Sequence, residues 1–108
     1  MIKVKLSTPL QEEVATDPKL EDRILGKVET LKTNGRLKAA VKIYDTAHGP
    51  VFRAAFSFKG RGVRLFYIPL KEEAGVTLLI GLVDKNNLNY ERGKVGIERI
   101  IEEYLEGK

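Results

Sequence analysis

The sequence predicts an α+β domain in which two N-terminal helices and a C-terminal helix pack on a small antiparallel sheet. Capped segments with apolar stripes lie at both ends of the chain, and three apolar runs of strand length follow one another in its middle. Short polar connections containing glycine join those runs, which makes neighbouring strands antiparallel. With 108 residues, 43% of them hydrophobic and 31% charged, residues 1–108 are most simply one domain around one core.

Taken in order, Ile2 to Leu6 alternates apolar and cationic side chains, the pattern of a strand with one wet face whose lysines discourage pairing with another chain. "STPLQEEVA" predicts a helix with Thr8 as cap, Pro9 in the first helical position and Gln11 closing a capping box. Asp17 and Pro18 repeat the device. They open a longer helix with Leu20, Ile24, Leu25, Val28 and Leu31 on one stripe and a stop at Asn34-Gly35. "RLKAAVKIYDTAHGP" is compatible with the start of a strand and breaks at "TAHGP". The runs "VFRAAFSF", "VRLFYIPL" and "VTLLIGLV", joined by "KGRG" and "KEEAG", form a three-stranded meander. Ile97, Ile100, Ile101, Tyr104 and Leu105 recur at helical spacing in the tail. Gly93 and Gly96 each cost that last helix about 1 kcal/mol relative to alanine, which weakens its first turn.

Composition excludes several chemistries. With no cysteine and one histidine, neither a disulfide framework, a thiolate metal site nor two-histidine ribonuclease chemistry is available. No phosphate-binding glycine loop, dinucleotide fingerprint, zinc-ligand spacing or Ser-His-Asp set occurs, so no cofactor or metal is expected. No signal peptide is recognisable, and no stretch approaches the roughly 18 apolar residues of a membrane span, so the expected setting is cytoplasmic and away from membranes. The formal net charge of +4 is unevenly spread: residues 35–70 hold seven cations against Asp45 alone, a net +6. That segment is where a polyanion would be drawn.

If "KGRG" is a four-residue loop pairing Phe58 with Val63, one sheet face carries Phe52, Ala54, Phe56, Phe58, Val63, Leu65 and Tyr67. The opposite face carries Arg53, Ala55 and Ser57 beside Arg64, Phe66 and Ile68, a groove lining if no helix covers it. Lys59, Arg61, Arg64 and Lys85 then converge at one end of the sheet, with Arg53 further along. The loop reads first as a solvated turn. Arg64, inside a strand, needs either an internal carboxylate or a ligand phosphate, since arginine suits both. Tyr67 faces the core and His48 lies in a loop. Tyr90 either packs at a helix start or is placed to stack on a base or move a proton.

"VFRAAFSFKGRGVRLFYIP" and "VTLLIGLVDKNNLNYERGKVGIERIIEEYL" resemble the RelE/ParE superfamily of toxins from toxin–antitoxin pairs, above all its RelE and HigB branches. The most specific piece is "KGRGVRLFY", followed one hairpin later by an apolar strand and a lysine-bearing loop. The resemblance implies a RelE-like fold, an antitoxin partner that wraps the toxin, and metal-independent cleavage of messenger RNA on the ribosome. It gives Arg64 the phosphate, Arg53, Lys59, Arg61 and Lys85 supporting contacts, and Tyr90 a part in proton transfer. Active relatives carry basic residues where this chain has Ala55 and Ser57, and often a basic pair where it has Asp84, Lys85, Asn86 and Asn87. Three functions therefore stay open: an endoribonuclease, a ParE-like gyrase inhibitor that cuts nothing, and a non-toxic interaction domain of the same fold.

Overall fold

The structure is a computed structural model and describes residues 2–84 and 90–107. Along the chain run β1 (Lys3–Leu6), α1 (Thr8–Ala15), α2 (Pro18–Asn34), β2 (Val41–Thr46), β3 (Gly49–Phe58), β4 (Arg61–Pro69), β5 (Val76–Asp84) and α3 (Tyr90–Glu106). The five strands form one sheet in the order β1-β5-β4-β3-β2. Strand β1 lies parallel to β5, and every other neighbour is antiparallel. The sheet is thus larger than the expected small antiparallel one, and mixed. Strand β2 adds a fourth member to the meander, and β1 reaches β5 across 70 residues of sequence, a pairing no local pattern could signal.

Both sheet faces are covered. Helices α1 and α2 lay Leu10, Val14, Ile24, Val28 and Leu31 against Ala54, Leu65, Tyr67 and Leu79. On the other side α3 sets Ile97 and Ile101 against Val51, Phe66, Ile68 and Ile80. Leu25, expected on the α2 stripe, is half exposed, because the buried positions follow the spacing of Leu20, Ile24, Val28 and Leu31. No described helix is long and apolar enough to cross a membrane.

The helix starts follow from side-chain capping. Asp17 caps α2 by accepting from the backbone N–H groups of Lys19 and Leu20, and Gly35, at φ 76°, ends that helix. The cap of α1 is Ser7, one residue before the expected Thr8: its Oγ accepts from Leu10 N–H at 3.2 Å. Gln11 reaches back to the Leu6 carbonyl at 2.8 Å. The choice of Ser7 has a tertiary cause. Between Phe66 opposite Gly81 and Tyr67 opposite Leu79, β5 carries one extra residue, Ile80. Buried Ser7 donates its hydroxyl to the Ile80 carbonyl at 2.6 Å, so one side chain caps a helix and satisfies a bulge.

Candidate functional site

The β3–β4 hairpin closes more tightly than the sequence suggests. Phe58 pairs with Arg61, leaving Lys59 and Gly60 as a two-residue connection with φ 50° and 76°. Positive φ at both central positions is the mark of a type I′ turn, whose twist matches the flanking strands. The register is therefore two residues off the Phe58–Val63 pairing. A shift of two keeps every side chain on its expected face, so Phe56 sits opposite Val63, Ala54 opposite Leu65, and Ala55 opposite Arg64.

Strand β5 returns to the same end, with Val83 opposite Arg64 and Asp84 opposite Val63. Helix α3 covers the middle of the Arg64 face at Phe66 and Ile68 but leaves Ala55, Ser57 and Gly62 exposed. Those residues, with Phe56, Val63 and Arg64, line a shallow depression of about 270 Å³. Arg64 is half-buried at its edge. Its Nε is fully buried and has no hydrogen-bond partner among the described residues. Of the two partners the sequence allows, an internal carboxylate is thus not found there among the described residues.

Among the described residues, the other expected cations do not gather around it. Lys59 turns to the α2 side, where Nζ donates to Asp17 Oδ2 at 3.0 Å and lies 5.2 Å from the Phe58 ring centre. That hydrogen bond is the largest of the influences that hold the Asp17 carboxyl below its ordinary value, ahead of the backbone donors of Leu20 and Lys19. Arg61 leans on Asp84 at 3.8 Å. Arg53 is half-buried on the Arg64 face, opposite Phe66 and Val41, with an interaction of its own. Lys85 lies outside the described residues, and Tyr90 is the first residue of α3. The expected convergence of four cations thus reduces, among the described residues, to Arg64 with Arg61 and Arg53 nearby.

Two arrangements escaped the sequence reading. Arg23 and Lys27 sit over the Phe56 ring at 5.2 and 5.1 Å from its centre. Their spacing of four along α2 signals a shared helix face, but nothing local names Phe56 as the ring beneath. At the other end of β3, His48 Nδ1 bonds Glu72, and Nε2 lies 3.9 Å from Glu102 of α3. The His48 bond is the main cause that lowers the Glu72 carboxyl below its usual value. The histidine braces the β2–β3 turn, the β4–β5 connection and α3, roughly 30 Å from the hairpin tip along the ten-residue β3. Among the described residues no group of three or more acidic, histidine or cysteine side chains could hold a metal ion. No protein-family model, curated protein or solved structure matches the chain.

Proposed function

We propose that this chain is a RelE-like toxin of a toxin–antitoxin pair that engages messenger RNA on the ribosome, with Arg64 as its phosphate ligand. The observation that carries the reading is the buried Nε of Arg64, which has no partner among the described residues and stands beside an open floor of small side chains. A guanidinium offers several donors in a plane and matches two phosphate oxygens at once. Ala55 and Ser57 leave room for a sugar-phosphate chain to approach it. Donors fixed before reaction stabilise the charge that grows on a phosphate when the ribose 2′-hydroxyl attacks it. Arg61 and Arg53 would add positive potential, and proton transfer would fall to Tyr90 or Lys85, which follow β5 in the sequence. An antitoxin chain is the partner this reading requires.

The test is mapping of messenger RNA 5′ ends shortly after induction, comparing the parent with Arg64→Ala. New ends in register with codons are expected in the parent and not in the variant. Equal cleavage by Arg64→Ala would remove the assignment.

A second reading, a ParE-like toxin that binds gyrase without cutting, is favoured by the engagement of Lys59 with Asp17 and of Arg61 with Asp84. Fewer cations are then free to hold RNA. Inhibition of gyrase supercoiling by the purified protein, without new RNA ends in cells, would select it.

A further inference from the structure

Among the described residues four stretches of strand have nothing paired on one side, the end of β5 beyond Leu79 included, and they are guarded unequally. Strand β1 exposes Lys3 and Lys5. Strand β2 exposes Lys42 and Asp45 and carries a register shift between Lys42 and Tyr44. Charges and bulges of this kind keep other chains from adding to an edge. The third stretch is the distal half of β3. Strand β2 pairs with β3 only as far as Arg53, opposite Val41, so Ala54 to Phe58 have no strand on their outer side.

The backbone groups that face outward there can be named. A two-residue turn makes Phe58 and Arg61 the first hydrogen-bonded pair, and such pairs alternate along an antiparallel ladder. Phe56 and Ala54 therefore bond to β4, whereas Ala55 and Ser57 turn N–H and C=O outward. Both residues are exposed, and no described residue bonds to those groups. Neither position carries a charge or a proline.

The surroundings fix the sign of a partner. Above the edge Arg23 and Lys27 lie over Phe56, and neither takes part in an ion pair among the described residues. Below it is Arg64 with its unpartnered Nε. An added strand alternates its side chains between the two faces, so acidic residues on both would meet cations.

We infer that the outer edge of β3 at Ala55–Ser57 accepts an extended acidic segment of another polypeptide by strand addition. Backbone pairing supplies the hydrogen bonds, and Arg23, Lys27 and Arg64 select for carboxylates. The inference goes beyond the RNA reading and does not require it.

The experiment uses the full chain with two eight-residue probes, alternating Val and Glu in one and Val and Lys in the other, followed by backbone amide NMR and hydrogen exchange. Expected are saturable binding of the glutamate probe alone and slowed exchange at Ala55 and Ser57. Ala55→Pro removes an outward N–H without touching a bond to β4 and should weaken binding about tenfold, near the worth of one good hydrogen bond. The double variant Arg23→Glu, Lys27→Glu should weaken it comparably with the backbone intact. A folded Ala55→Pro protein that binds as the parent does, equal binding of the lysine probe, or protection confined to β1 or β2 would overturn the proposal. Protection of Ala55 and Ser57 that rises with protein concentration without probe would assign the edge to a second copy of this chain instead. Protection by a single-stranded oligonucleotide but not by the glutamate probe would assign it to RNA.

Discussion

Replacing Arg64 by methionine separates a functional arginine from a structural one. A buried donor left without a partner costs about 1–3 kcal/mol, and Arg64 Nε is such a donor among the described residues. Methionine keeps most of the aliphatic stem, bends to fill irregular space and brings no donor. Arg64→Met should therefore raise the free energy of unfolding by about 1 kcal/mol, or roughly 4 °C in thermal midpoint at this chain length. Under the proposed toxin reading, the same change should abolish growth arrest on induction. Urea denaturation of parent and variant gives the first quantity, and growth after induction gives the second. A loss of more than about 1 kcal/mol on substitution would mean that the guanidinium is bonded inside the fold, and the phosphate argument would fail. Higher stability with undiminished toxicity would leave Arg64 costly and without function.

The remaining expectations concern what holds the site in place. Ser7→Ala removes a helix cap and strands the Ile80 carbonyl, so chemical denaturation should show a loss of about 2–4 kcal/mol. Tyr67→Phe takes the acceptor from Leu37 N–H, at 3.1 Å in the core, and should cost about 1–3 kcal/mol with the fold retained by circular dichroism. Lys59→Asn places the residue best suited to positive φ in the hairpin turn. It relieves about 1 kcal/mol of left-handed strain against loss of an exposed ion pair, so the midpoint should hold or rise. The Asp17 carboxyl is held below its ordinary value of 3.8 in the folded chain, first by Lys59. Its contribution is present above the unfolded value and disappears as pH falls through the folded one. The thermal midpoint should consequently drop as pH falls through and below the ordinary carboxylate range, and drop less in Asp17→Asn.

Much of this arrangement was legible because strand alternation tolerates even errors. The loop between β3 and β4 is two residues shorter than the sequence suggested, yet Phe52, Ala54, Val63, Leu65 and Tyr67 keep the face assigned to them. An error of one would have put the apolar sets of the two strands on opposite faces. The cap of α1 falls on Ser7 rather than Thr8 for a different reason. Thr8 and Ser7 are both competent caps, and the choice between them depends on the Ile80 carbonyl, 73 residues away. Strand β2 was hard to read because an edge strand with Lys42 and Asp45 exposed lacks a clean alternation. The bond of His48 to Glu72 likewise joins two loops whose separate sequences carry no trace of it.

Segment charge proved a poor guide to a charged patch. Residues 35–70 hold a net +6, but the sheet divides those cations between faces and neighbours. Lys42 pairs with Asp45 at 3.2 Å, Lys59 goes to Asp17 on the α2 side, and Arg61 leans on Asp84. Beside the two small residues the segment places Arg64, with Arg53 further along the same face and Arg36 and Lys38 in the chain before β2. Ala55 and Ser57 are also the two positions at which the resemblance to nuclease toxins leads one to expect basic side chains. Small uncharged side chains there offer phosphates less to hold than basic ones would. The same small side chains uncover the outward N–H and C=O groups of β3, which long basic side chains would screen. On the proposed readings, this one pair of small residues gives a sugar-phosphate chain room beside Arg64 but no charge of its own, and gives a peptide strand access to the backbone. Placing lysine at both positions should therefore shift the protein in opposite senses for the two proposed ligands, strengthening RNA retention on a filter and weakening the acidic peptide. A parallel change in both affinities would show that side chain and backbone do not compete at this edge.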